Sequence, residues 1–282
     1  MPILPIDDPA DARLADYRGV SDPELLRRRQ RFVAEGRLVV RRLLTGGRLI
    51  AESVLLTTPA LDNLADLLPH RYPELPVYVV SQAVMNDLAG FNIHRGCLAI
   101  GLRPPRRSTA QLLDIGGLDR LVVLEGVSNA DNVGGIFRSA AALGGDAVLL
   151  GPHCCDPLYR KAIRTSVGAS LEVPFAFADA WPADIDLLRG AGFTIVALTT
   201  SGEAPRIEML AADLTNQPRV AILAGAEGTG LSPEAHAAAD LQVRIAMRSG
   251  IDSLNVAVAL SITLHRMGRH GNRGRFLATR TT

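Results

Sequence analysis

Apolar residues in this chain alternate between short unbroken runs and stretches where they recur every three or four positions. The runs at Ile50–Leu56, Val77–Val80 and Cys97–Leu102 read as strands, and Pro59–Leu68 and Gln82–Leu88 read as helices. Residues 21–45 are expected to be helical. Ser21 and Glu24 have capping-box spacing, Pro23 suits a first turn, and Leu25, Phe32, Val39, Val40, Leu43 and Leu44 supply an apolar face until Gly46-Gly47 ends it. Pro104, Pro105, Arg106, Arg107, Ser108 and Thr109 then break the pattern. Beyond them, strand candidates at Leu121–Leu124, Ala147–Leu150, Thr194–Leu198, Val220–Leu223 and Leu241–Ile245 are interleaved with helix candidates. Those helices are Val133–Leu143, Pro157–Thr165, Pro233–Ala239 and a long final one over Asp252–Met267, capped by Asp252 or Ser253. Apolar strands separated by helices predict an α/β fold with a parallel sheet covered on both faces. The expected organisation is a smaller α/β domain over 1–103, a linker over 104–117 and a larger α/β domain over 118–282.

Composition changes this picture little. A chain of 282 residues with 48% hydrophobic content buries an ample core. No apolar run is long enough for a bilayer, and the early acids Asp7, Asp8 and Asp11 stand where a signal peptide needs basic then apolar residues, so a cytoplasmic protein is expected. The cysteines are Cys97, Cys154 and Cys155, an odd number with two adjacent. That argues against a disulfide framework, and no further ligands stand at metal-site spacing, so no metal is expected. The net charge of +1 gives no whole-chain case for nucleic acid. Arginines nevertheless cluster at 27–31, at 103–107 and after 266, where phosphate contacts and an ordinary solvated surface are equally good readings.

Three loops that follow strand candidates carry the chemistry-bearing residues, and ligands of open α/β sheets bind at such strand ends. The first, Leu124–Ser139, contains Asn132, Gly134, Ile136 and Arg138. Taken alone, Asn132 is a helix cap and Arg138 a surface ion-pair residue. The second, Leu223–Ser232, places Gly225, Gly228 and Gly230 within six positions and carries Glu227. Its order is G-x-x-G-x-G and it has no P-loop lysine, so neither common nucleotide fingerprint is present. The third, Ile245–Val256, holds Ser253, Leu254 and Asn255 at the start of the last helix.

Taken in order, N-x-G-x-I-x-R, G-x-E-G-x-G-L and S-L-N closely resemble the motifs of the SpoU/TrmH branch of the SPOUT methyltransferases. The resemblance runs from about Leu121 to His270 and includes Arg164, Thr165, Ser166, Gly168 and Ala169 between motifs. Phe32–Gly36, Gly90-Phe91 and His94-Arg95-Gly96 resemble the L30e-like substrate-binding domain that some members carry. Ala226 stands where the second motif usually has Asn, and Ala246 where the third usually has Pro. Loss of the fixed proline φ is expected to loosen the loop without removing the chemistry.

The resemblance implies a parallel sheet with a deep trefoil knot, a homodimer, and S-adenosylmethionine held in a bent shape. It implies cofactor contacts at Thr199, Thr200, Leu223, Gly225, Ala226, Gly228, Ile245, Met247, Ser253 and Leu254. Arg138 is the implied catalytic residue, with Asn132, Glu227, Ser253 and Asn255 positioning it, the ribose and the cofactor. The implied activity is methylation of an RNA ribose 2′-hydroxyl, on large-subunit ribosomal RNA by analogy with members that carry an L30e-like domain. A tRNA methyltransferase, a non-catalytic RNA-binding scaffold of the same fold and a Rossmann dehydrogenase are the alternatives. The missing G-x-G-x-x-G weighs against the last, and the intact five-residue set against the scaffold.

Overall fold

The computed structural model describes residues 3–19, 21–68, 73–89 and 96–267. The Gly90-Phe91 and His94-Arg95 pieces of the resemblance, and the arginines beyond 267, lie outside the described residues. Two compact units form. Among the described residues, the first comprises the chain up to Pro104 together with Leu158–Glu172; the second comprises Pro105–Pro157 and the chain from Val173 to Met267. The expected linker is not bare coil, since Ser108 caps a short helix over Thr109–Leu113 in a reciprocal capping box with Gln111.

In the first unit the strands are β1 (Ile3–Pro5), β2 (Arg31–Glu35), β3 (Ala51–Leu56), β4 (Val77–Val79) and β5 (Cys97–Leu102). Their order is β1-β4-β3-β5-β2, with β5 antiparallel to both of its neighbours. The helices are α1 (Arg37–Gly46), α2 (Thr58–Asp62) and α3 (Gln82–Ala89). The continuous helix expected over 21–45 is not formed. A π-helical turn over Glu24–Arg28 is followed by β2, and the helix begins only at Arg37. Two left-handed residues bracket the strand, Gln30 at φ 54° and Gly36 at φ 94°, and neither conformation propagates a right-handed helix. The packing reward is cross-strand. Phe32 registers opposite Gly101 of β5, and its ring fills the space a Gly101 Cβ would need, 2.2 Å from such an atom. Phe32 is 1% exposed, so its ring has nowhere to move. Gly101→Ala is therefore expected to cost about 1–3 kcal/mol by overpacking. Chemical denaturation checks this, and Phe32→Leu in the same chain should recover part of the loss.

The second unit is built on a sheet of its own. That sheet has six strands, all parallel: β6 (Arg120–Glu125), β7 (Ala147–Leu150), β8 (Phe175–Phe177), β9 (Thr194–Leu198), β10 (Val220–Gly225) and β11 (Leu241–Val243). The order is β11-β9-β10-β6-β7-β8. Counting Thr109–Leu113 as α4, the helices are α5 (Ala130–Leu143), α6 (Arg160–Thr165, packed in the first unit), α7 (Ala183–Gly190), α8 (Ile207–Asn216), α9 (Pro233–Ala237) and α10 (Val256–Met267). The central strands are buried along nearly their whole length, as expected where helices cover both faces. Leu121, Val123, Leu149, Ile195, Ala221 and Leu223 form the core with Ile185 and Leu188 of α7. β8, α7 and α8 had no counterpart in the pattern of the sequence.

Helix α10 returns to lie on α5. A Cβ at Gly135 would stand 3.1 Å from the Ala257 Cβ, and the Ser139 and Ser261 hydroxyls are 2.7 Å apart. Small residues at this crossing bring the starts of two helices, and with them Asn132 and Asn255, within side-chain reach.

Candidate active site

At the carboxyl end of β10 the chain must fold back on itself at once. A Cβ on Gly225 would lie 2.1 Å from the carbonyl carbon of Gly230 and 2.3 Å from the nitrogen of Leu231. Ala226 and Gly230 form an antiparallel bridge, with Gly230 N–H donating to the Ala226 carbonyl at 2.9 Å. Gly228 and Gly230 take φ values of 88° and 69°, which disfavour a side chain. The G-x-x-G-x-G spacing is thus the signature of a tight return loop that projects Glu227. Gly225→Ala should force the loop open, and calorimetry of the variant with S-adenosylhomocysteine should show binding weaker by about tenfold or more.

Asn132 was expected to cap α5. The cap is instead Asn129, whose side-chain oxygen accepts from Asp131 N–H at 2.8 Å, and Asn132 lies within the first helical turn. Its amide is thereby left for long-range contacts. The last helix likewise starts later than expected. Asn255, rather than Asp252 or Ser253, supplies the capping oxygen, accepting from Ala257 and Val258 N–H at 3.0 and 3.3 Å. The Asn255 Nδ2 donates to Asn132 Oδ1 at 2.8 Å and to Glu227 Oε1 at 2.7 Å, and Asn132 Nδ2 donates to the same carboxylate oxygen at 3.1 Å. Three loops far apart in sequence are joined in one closed cluster. Hydrogen bonds to an ionised carboxylate are stronger than neutral ones, so the cluster holds its members in fixed geometry.

Beside it is a cavity of about 420 Å³. Thr199, Thr200, Gly225, Ala226, Glu227, Gly228, Ile245, Met247, Ser253 and Leu254 all line it. Leu223 does not; its side chain is fully buried in the core of the sheet. Arg138 is exposed on α5, is not part of the cavity wall, and forms no ion pair or hydrogen bond with a described residue. It lies six residues after Asn132, about 9 Å along the helix axis at about 1.5 Å per residue. Six residues turn the helix through about 600°, so Arg138 projects about 120° around the axis from Asn132.

Three contributors have no motif of their own. His236 of α9 and Asp252 line the cavity. Glu125 ends β6 and accepts from Trp181 Nε1 at 2.6 Å and from Ser232 N–H at 2.8 Å, tying the far end of the return loop to the central strand. Cys154 is not a nucleophile here: burial pushes its thiol up to about 11, and it donates to the Leu124 carbonyl. Among the described residues no group of three or more His, Cys, Asp or Glu side chains is placed to hold a metal ion. Nor is any described helix long and apolar enough to cross a membrane.

Fold and site define the class first: a parallel α/β protein with a small-molecule cavity at its strand ends, edged by a carboxylate and two amides. Within that class the chain belongs to the SpoU rRNA Methylase family, whose pattern matches residues 119–265. It is thus a member of a family of RNA methyltransferases, which sets aside the dehydrogenase reading. It is 40% identical over 269 residues to an uncharacterized tRNA/rRNA methyltransferase of Mycobacterium bovis, covering 94% of this chain and 91% of that one. Among solved structures, an RNA 2′-O ribose methyltransferase superposes with a TM-score of 0.74 at 26% identity, covering 94% and 98% of the two chains. An AdoMet-bound rRNA methyltransferase from Sinorhizobium meliloti shares the fold with a TM-score of 0.80 at 24% identity over 95% and 98%.

Proposed function

We propose that the protein transfers a methyl group from S-adenosylmethionine to a ribose 2′-hydroxyl of RNA, with large-subunit ribosomal RNA as the target and tRNA as the alternative. The observation that carries this reading is the Asn132–Glu227–Asn255 cluster beside the cavity, with Arg138, which bonds to no described residue, on the helix that bears Asn132. The cavity's volume falls within the range of about 300–1,000 Å³ usual for small-molecule sites. Its wall is main chain from a glycine loop and apolar side chains such as Leu198, Ile245 and Leu254, which suits a flat purine beside a sugar.

When bound, the sulfonium donor supplies a methyl carbon already activated for displacement. The chain's residues then have to align the hydroxyl oxygen in line with the donor's S–C bond. The new O–C bond forms as the S–C bond breaks, the sulfur keeps the bonding pair, and the hydroxyl proton leaves to water. Alignment of this kind is worth about 7–11 kcal/mol when the attack geometry is met. The cluster is suited to that task because each of its three side chains is fixed by the other two. Arg138 is free to grip the neighbouring phosphate and to face the negative charge that grows on the attacking oxygen. A second copy of the chain belongs to this reading: Ile251 and Val258, 55% and 48% exposed, leave apolar surface beside the site, and sedimentation should show a dimer.

A 2′-deoxy substitution at the target nucleotide is expected to abolish transfer while the unmodified RNA is methylated. Methylation of the 2′-deoxy RNA would refute the ribose assignment. Mapping of 2′-O-methyl positions in RNA from a deletion strain should show a site lost from large-subunit ribosomal RNA. Loss confined to tRNA would select the alternative target.

A further inference from the structure

Among the described residues His236 is the one histidine that lines the cavity, and its position there is strongly determined. Glu125 Oε2 holds the Ser232 N–H at 2.8 Å. The Ser232 hydroxyl in turn caps α9 through Ala235 N–H at 3.2 Å, and the Ser232 carbonyl accepts from His236 N–H at 2.9 Å. Ala235 and Leu231, on either side of Ser232, are packed into the core. The backbone that carries the imidazole is therefore anchored to the central strand β6 and has little freedom to withdraw.

The ring itself is not matched by the protein. Nδ1 is shut away from solvent with no hydrogen-bond partner, whereas Nε2 is not enclosed in that way. An orphaned buried N–H is rarer and costlier than a bare nitrogen, so the favoured tautomer leaves Nδ1 bare and carries the proton on Nε2. A buried unpartnered nitrogen is costly, and an apolar side chain at this position would avoid it. Nδ1, closed to solvent, is closed to a ligand as well, so Nε2 is the ring atom that a molecule in the cavity can reach.

We propose that His236 is a recognition residue for the adenosyl group of the methyl donor, with Nε2–H donating to a ring nitrogen of the base. The inference rests on the methyl-donor reading above. The base is the assigned partner because the donor's charged amino-acid end and sulfonium belong beside the polar cluster, where the acceptor hydroxyl must arrive. The flat heteroaromatic end then falls to the apolar wall of Leu198, Val243, Ile245 and Leu254.

The test is calorimetric binding of S-adenosylhomocysteine, beside thermal melting of the ligand-free protein, for the full chain and for His236→Leu and His236→Gln. The expected result has opposite signs. Leucine weakens binding by about tenfold, the value of one hydrogen bond, yet melts at the same temperature or higher because an unmatched polar atom is gone. Glutamine, which keeps an N–H donor, recovers part of the affinity. One of the 1-, 3- or 7-deaza analogues of S-adenosylhomocysteine should bind the wild type as weakly as the parent compound binds the leucine variant. Unchanged affinity in His236→Leu overturns the proposal, as does a fall in melting temperature that accompanies the loss of affinity. Failure of the wild type to bind S-adenosylhomocysteine at all would instead remove the methyl-donor reading itself.

Discussion

Arg138→Ala is expected to reduce methyl transfer by about 10²–10³-fold while leaving binding of S-adenosylmethionine unchanged. The donor cavity is built from the chain beyond residue 197, and Arg138 is not part of its wall, so the substitution removes nothing the cofactor touches. An arginine is also a poor base, its pKa lying above about 12. Its contribution must then come from fixed positive charge facing an oxygen that becomes negative. Deleting one such preorganised donor costs about 2.7–4 kcal/mol, which sets the expected range. Arg138→Lys should retain part of the rate, since it keeps the charge and loses the planar fork. Single-turnover transfer measured beside calorimetry separates the possibilities. Equal turnover in the alanine variant would remove the assigned role, and a parallel loss of cofactor affinity would make the residue part of the binding site instead.

The site was more legible in the sequence than the fold around it. Taken one at a time, Asn132, Glu227 and Asn255 read as caps or turn residues, and only their ordered resemblance to the family's motifs singled them out. Their meeting follows from parallel topology, which gathers the ends of successive strands on one side. Which asparagine caps α5 was not legible, because Asn129 and Asn132 are both good caps and only the backbone decides; Asn129 has the extended ψ of 123° that a cap requires. The 21–45 segment misled for a related reason. Its apolar spacing fits a helix, but β2 is only five residues long and buried on both faces, so it shows no alternation to betray it. β8 is three residues long, and α7 and α8 have mixed faces in which Leu187 and Met209 are exposed. Such short or weakly patterned elements are held by the core they complete rather than by their own periodicity. Glu125 carried no signal because its contacts to Trp181 and Ser232 exist only in the tertiary fold, and His236 carried none because only the fold brings it to the cavity wall.

Arg120 is the clearest case of that last kind, and removing it should damage stability more than any other single change outside the apolar core. It opens the central strand β6 and is 4% exposed. Its guanidinium donates to a set of backbone carbonyls: Leu214, Thr215 and Gln217 from Nη2 at 3.3, 3.0 and 3.1 Å, and Asp119 from Nη1 at 2.9 Å. These acceptors include the last carbonyls of α8, the negative end of the helix dipole, where a cation is favoured. Alanine would withdraw that donor from the buried Leu214 carbonyl and its neighbours and open a space the size of the side chain. A loss of about 3–5 kcal/mol is expected, since each buried carbonyl left short of its donor costs about 1–3 kcal/mol. That corresponds to a melting transition lower by about 10 °C for a unit of this size. The only tryptophan, Trp181, lies in the second unit and bonds to Glu125 at the other end of the same strand, so its fluorescence reports the transition directly. Arg120→Lys should fall between wild type and alanine, because one ammonium cannot span carbonyls that the guanidinium reaches from two nitrogens. A melting temperature for Arg120→Ala within about 1 °C of wild type would mean that water replaces the guanidinium at no cost.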